Sequence, residues 1–136
     1  SGGKGLHVVL PVSPGCDWSI VKPFAHSFAE TLATTEPLKY VASSTKKFRN
    51  KKIFIDYLRN GRGATSVASF SLRAREGAPV AMPLRWEELG KFKSGAAFDI
   101  DSAVQRIKRL KKHPWDGIET IKQDLERVAR LLDDMA

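Results

Sequence analysis

Ser1-Gly2-Gly3-Lys4-Gly5-Leu6-His7 gathers a hydroxyl, an ammonium and an imidazole in one glycine-rich turn. Small residues let the backbone approach a ligand closely, and those three groups are the kind that surround a phosphate chain. The turn is not a Walker A loop. It lacks the four-residue spacer and the Gly-Lys-Ser/Thr ending, and it precedes a strand-like run instead of a helix. That run, Val8-Val9-Leu10-Pro11-Val12, has the length of a buried strand. A glycine turn leading into a core strand is a natural nucleotide site.

The second chemical candidate is Asp56, set within Ile53-Phe54-Ile55-Asp56-Tyr57-Leu58. A carboxylate in or beside a core has to be paired, hydrogen-bonded or metal-bound. Arg59 and Arg62 follow in the next loop, so the group reads either as a divalent-metal and nucleotide site or as a structural Asp–Arg ion pair. One carboxylate is too few for two-metal phosphoryl transfer, which wants a cluster. Asp99 and Asp101 would share a face if their segment were a strand. Ser102 and the Val104, Ile107, Leu110 stripe follow at once, however, so a helix N-cap is the expected role. His26 falls on a helical stretch with no evident partner and reads as structural or exposed. Ser, His and Asp show no nucleophile-elbow spacing. Cys16 stands alone, which excludes a disulfide framework and a cysteine metal site and fits a reducing cytoplasm.

The elements that must hold these groups can be read from periodicity. Asp17 or Ser19 caps a helix marked by Val21, Phe24, Phe28 and Leu32, with Pro23 tolerable in its first turn. Short strands are expected at 40–42 and 53–58, and another at 65–70. The proline-interrupted stretch 79–84 should run along an edge or the surface. Trp86-Glu87-Glu88-Leu89 starts a short helix. Two C-terminal helices follow, one closing at Lys111-Lys112-His113-Pro114, the other carrying Ile118, Ile121, Leu125, Val128, Leu132 and Met135. At 136 residues and 42% hydrophobic the chain can build one domain with a core, and it contains no run long enough to cross a membrane. The formal net charge of +8 points to polyanions. Residues 46–62 hold seven basic side chains (Lys46, Lys47, Arg49, Lys51, Lys52, Arg59, Arg62) against one acid, Asp56. Such an excess suits nucleic acid or nucleotide phosphates, though Lys-rich strand edges also deter aggregation.

Taken in order, the Ser1–His7 turn, the 53–60 run Ile-Phe-Ile-Asp-Tyr-Leu-Arg-Asn, Ser71-Leu72-Arg73-Ala74-Arg75 and Pro83-Leu84-Arg85-Trp86 resemble the polymerase/primase domain of bacterial ligase D. That ATP-dependent enzyme of non-homologous end joining sits within the archaeo-eukaryotic primase superfamily. The resemblance implies phosphate contacts for Ser1, Lys4, His7, Arg59 and Arg73, and a metal-binding catalytic carboxylate in Asp56. The basic residues Lys46, Lys47, Arg49, Lys51, Lys52 and Arg62 would face nucleic acid. It further implies nucleotidyl transfer to DNA 3′ ends, with manganese or magnesium as cofactor, nucleoside triphosphates as substrates and ribonucleotides favoured. Ku, the ligase domain and DNA ends would be the partners, in the bacterial cytoplasm. The expected fold is mixed α/β: an antiparallel-rich sheet with helices on one face and two C-terminal helices.

The family's Asp-x-Asp motif, source of the other two metal carboxylates, lies upstream of the serine turn. The expectation is therefore that residues 1–136 are the C-terminal half of such a domain and inactive alone, with a homodimer through the surface so uncovered as a corollary. The rival class is a non-catalytic nucleic-acid-binding domain using the 46–62 patch. A ligase adenylation domain is disfavoured, since no Lys-x-Asp-Gly motif is present.

Overall fold

In the computed structural model, which describes residues 1–133, the polypeptide forms two compact units. One comprises Ser1–Pro11 and Ser66–Ile121, the other Val12–Thr65 and the residues from Lys122 onward. No helix among the described residues is long and apolar enough to cross a membrane.

The second unit is built on α1 (Trp18–Thr35), which packs on β1 (Tyr40–Val41) and on α3 (Leu125–Asp133). The Asp17 carboxylate caps α1 by accepting from the Ser19 backbone N–H at 2.7 Å. The Ser19 hydroxyl, which also donates to it, and after it the Ser19 N–H hold the Asp17 carboxyl below its ordinary value. Pro23 lies inside α1, beyond the first turn expected for it. Its ring offers the Ser19 carbonyl no N–H, and the helix continues because packing against two elements outweighs one missing bond. Ala29, Ala42 and Leu125 are this unit's buried apolar residues. β1 pairs with β2 (Ile53–Phe54) in parallel, Tyr40 opposite Ile53 and Val41 opposite Phe54, across a 3₁₀ turn at Lys46–Arg49.

The first unit centres on Val80 and Met82, packed with Ala103 of α2 (Ile100–Arg109) and with Phe98. Residues 79–83 are buried, so the surface course expected for the 79–84 stretch is overturned. Both backbone edges find partners. The Val80 N–H donates to the Phe98 carbonyl at 2.8 Å, and on the other side Arg73 N–H donates to Pro79 at 2.9 Å and Ala81 N–H to Ser71 at 2.9 Å. The prolines cost little because they sit where no further ladder is made.

The expectation of an antiparallel-rich sheet also fails. Among the described residues the sheet is the parallel pair β1 and β2, and antiparallel pairing amounts to a bridge between Leu72 and Val80. Phe70 at φ 64° and Ala78 at φ 38° explain why, since neither conformation continues a strand. The strand expected at 65–70 is absent for the same reason. The 53–58 strand stops after Phe54 as the backbone turns at 57–60.

Val8, Val9 and Leu10 are exposed, and 8–12 forms no strand. An apolar run encodes a tendency toward burial, but a strand forms only where a neighbouring edge takes up its backbone hydrogen bonds.

Asp99 caps α2 as expected, accepting from Ser102 N–H at 2.8 Å while the Ser102 hydroxyl accepts from the Asp99 N–H in return. The long final helix expected from Ile118 divides into a 3₁₀ turn at Ile118–Thr120 and α3. Asp124 Oδ1 accepts from the N–H groups of Glu126 and Arg127, at 3.0 and 3.3 Å, and so starts a new helix. Met135, the last residue of the expected stripe, lies outside the described residues.

Candidate functional site

In the first unit the Ser1–Gly5 turn is seated on the hairpin of residues 70–81 and on Gly95. Gly2 is buried at φ 62°, and a Cβ there would stand 2.6 Å from Arg73 Cγ and 3.2 Å from the Pro79 carbonyl oxygen. Its N–H donates to the Gly95 carbonyl at 2.8 Å. Gly95 in turn tolerates no side chain, since a Cβ would stand 2.2 Å from the Gly5 carbonyl oxygen and 2.8 Å from that of Gly3. The Ser1 hydroxyl closes the turn by donating to the Gly5 carbonyl. These contacts are what glycine at Gly2 in the turn and at Gly95 opposite it makes possible: backbone against backbone, with a side-chain hydroxyl inside.

The hairpin brings Arg73 beside Ser1, two residues assigned to phosphate from the sequence. Arg75 belongs to the same group and was missed at the sequence level. Its Cζ and Nη1 lie 3.9 Å from where a Gly3 Cβ would be. The available signal was its place two residues after Arg73; the chain bends there, with the Arg75 N–H donating to the Arg73 carbonyl at 2.8 Å. Lys4 and His7 are exposed on the same unit.

Asp56 and Arg59 belong to the second unit. With Ser44, Arg49, Phe54, Leu58 and Ala64 they line an open cleft of about 450 Å³. Asp56 is exposed, which corrects the expectation of a carboxylate in or beside a core. The backbone leaves β2 before reaching it, and its Oδ1 accepts from the Leu58 N–H at 3.2 Å. It is not part of an ion pair among the described residues, so the structural Asp–Arg pair is not formed. Arg59 Nη1 donates instead to the Thr65 carbonyl at 3.3 Å.

Arg49 was read as part of a basic surface, but it turns inward. Its guanidinium covers the Phe54 ring at 3.9 Å and donates to the Ser44 carbonyl. Lys46, Lys47, Lys51, Lys52 and Arg62 are exposed. His26 has partners the sequence did not announce: Glu30 Oε1 at 3.4 Å and the Tyr57 ring, 4.3 Å between centroids.

The described residues contain no group of three or more His, Cys, Asp or Glu able to enclose a metal ion. Asp56 by itself offers one accessible carboxylate, so these residues do not make a complete metal centre. Asp99, the other carboxylate candidate, is committed to capping α2.

Comparison with known proteins gives these arrangements a context. The family profile described as LigD, primase-polymerase domain, matches residues 1–115. The multifunctional non-homologous end joining protein LigD of Pseudomonas aeruginosa is 39% identical over 131 residues, which is 96% of this chain and 16% of that protein. The bifunctional non-homologous end joining protein LigD of Bacillus subtilis is 32% identical over 110 residues, 80% of this chain and 18% of that protein. The corresponding LigD of Mycolicibacterium smegmatis is 34% identical over 89 residues, 65% of this chain. The chain thus spans less than a fifth of the length of these curated relatives.

Proposed function

The chain belongs to the LigD primase-polymerase domain family, and from that premise we propose that it forms the triphosphate-gripping part of a polymerase that extends DNA 3′ ends in bacterial double-strand-break repair. Ser1, Lys4 and His7 bind the phosphates of the incoming nucleotide together with Arg73 of the same unit, and on the second unit Arg59 is a phosphate contact by the family resemblance alone. Neutralising a triphosphate with several cations and fixing its direction is most of what phosphoryl transfer asks of a protein. Arg75 joins Arg73 on that wall.

The observation that supports this reading best is the seat of the Ser1–Gly5 turn. Gly2 and Gly95 have no room for a side chain, and the turn they shape lies against Arg73. A turn seated this firmly beside Arg73 and Arg75 holds its exposed Lys4 next to two further cations, which suits an anion.

Asp56 is proposed as one carboxylate of a metal centre whose remaining two the family resemblance locates upstream of the serine turn. Manganese as the metal, a preference for ribonucleotides, Ku, DNA ends and a ligase domain as partners, and inactivity of these 136 residues on their own all belong to the same proposal.

The experiment is nucleotide addition to a primer 3′ end by the chain combined with the upstream segment. Asp56→Ala should abolish addition, and undiminished activity would overturn the metal role. Arg73→Ala should weaken nucleoside triphosphate use about 10- to 100-fold, the worth of a lost hydrogen bond to a charged group. Failure of Arg73→Ala to raise KM would remove Arg73 from the triphosphate site.

A further inference from the structure

The turn between β1 and β2 inverts the usual preference of its side chains. Phe48 is 51% exposed, while its neighbour Arg49 is drawn inward onto the Phe54 ring, with Nε buried and unpartnered among the described residues. Solvation alone favours the opposite: the guanidinium in water and the phenyl ring inside. The arrangement is held by the turn itself. Phe48 N–H donates to the Thr45 carbonyl at 3.2 Å, Lys52 N–H to the Arg49 carbonyl at 3.1 Å, and Lys51 sits between at φ 56°, a left-handed conformation that disfavours lysine. Backbone strain and an outward aromatic together are features that persist where a site needs them.

The surroundings say which ligand. Lys46, Lys47, Lys51 and Lys52 are exposed in the same stretch of chain, and Lys47 Nζ lies over one face of the ring, 4.8 Å from its centroid, leaving the other face for a ligand. No acidic residue occurs between Glu36 and Asp56. None of the four lysines is ion-paired among the described residues. We propose that Phe48 is a stacking platform for an unpaired base of single-stranded nucleic acid, with Lys46, Lys47, Lys51 and Lys52 holding the flanking phosphates. An aromatic face accepts any base, and the cations follow the backbone, so binding is tolerant of sequence and sensitive to salt. Bases inside a duplex are stacked on both faces and only the terminal pair exposes one, which makes the site prefer single strands. The site stands on this turn alone and does not depend on the polymerase reading.

The test measures binding of a thymidine homopolymer carrying one 2-aminopurine, in EDTA and without nucleoside triphosphate. Phe48→Ala should weaken binding about 5- to 100-fold and abolish the 2-aminopurine quench, with the salt slope unchanged. Phe48→Tyr should restore both. Lys47→Ala and Lys51→Ala should each lower the salt slope by about 0.7 while leaving the quench. Unchanged affinity of Phe48→Ala, or an equal loss on blunt duplex, would overturn the proposal. So would a change in the chain's mass in light scattering without a change in DNA binding, which would make Phe48 a contact between copies. Because neither metal nor nucleotide is present, failure here is separate from failure of nucleotide addition.

Discussion

Gly95 shows how much of the candidate site depends on single atoms that are missing. A methyl group there would meet two backbone carbonyls, neither of which can swing aside as a side chain could. Gly95→Ala should therefore cost about 1–3 kcal/mol in urea unfolding and release the Ser1–Gly5 turn. Binding of inorganic triphosphate should fall with it. A variant that keeps both would show that the turn is seated otherwise. Glycine's need at Gly2 was legible in the sequence as a glycine turn, but the partner surface at Gly95 was not, because it lies more than ninety residues away. Asp56 teaches the converse. Its apolar neighbours made burial the natural expectation, yet alternation along a strand speaks for burial only as far as the strand runs, and β2 ends at Phe54.

At the scale of elements, the first unit is fastened by Glu88. Its carboxylate accepts from the Arg85 N–H at 2.8 Å, capping the 3₁₀ turn at Trp86–Lys91, and also takes both Arg106 Nη groups of α2 at 2.7 and 2.8 Å. The two side chains are only 19% and 15% exposed, so solvent screens the pair little. Hydrogen bonding from Arg106, and less so from Arg85, holds the Glu88 carboxyl below its ordinary value. A carboxylate with a lowered folded value contributes fully above its unfolded value, and that contribution is lost as pH falls through the folded one. Glu88→Gln should cost about 1–3 kcal/mol at neutral pH and flatten the loss of stability on acidification. Equal acid sensitivity of variant and parent in urea titrations at several pH values would exclude this role. Helix starts were legible here, because a cap is local: Asp17 and Asp99 needed only their own next residues. The split of the final helix at Asp124 was hidden behind an unbroken apolar stripe, since that stripe suits one helix or two equally.

At the scale of the whole molecule, the buried hydrophobic side chains among the described residues are Ala29, Ala42, Val80, Ala81, Met82, Ala103 and Leu125, four of them alanines. Leu6, Val8, Val9, Leu10 and Trp86 are exposed. Small buried side chains contribute little apolar area, and exposed large ones leave apolar surface in water. The chain should therefore bind anilinonaphthalene sulfonate with a marked rise in fluorescence at neutral pH, and covering residues 6–10 with an added partner should reduce it. No rise would mean that this run is covered in solution. The net charge of +8 acts at the same scale, drawing any nucleic acid toward both units before a specific contact forms.

What the sequence by itself determined is the family. The order of a serine-glycine turn, an acid after an apolar run and an Arg-Ala-Arg segment identified the primase-type polymerase domain, and helix caps and short strands near 40 and 53 followed from local rules. These depend on neighbours within a few residues, and the chain states them openly. Tertiary structure decided which apolar runs are buried and which basic side chains face water. It put 79–83 in a core and left 8–10 uncovered, because burial depends on a partner surface that no local pattern encodes. It also turned Arg49 in and Phe48 out. Seven basic residues within 46–62 read alike in sequence, and only the fold separates Arg49 and Arg59, which line a cleft, from Lys46, Lys47, Lys51, Lys52 and Arg62.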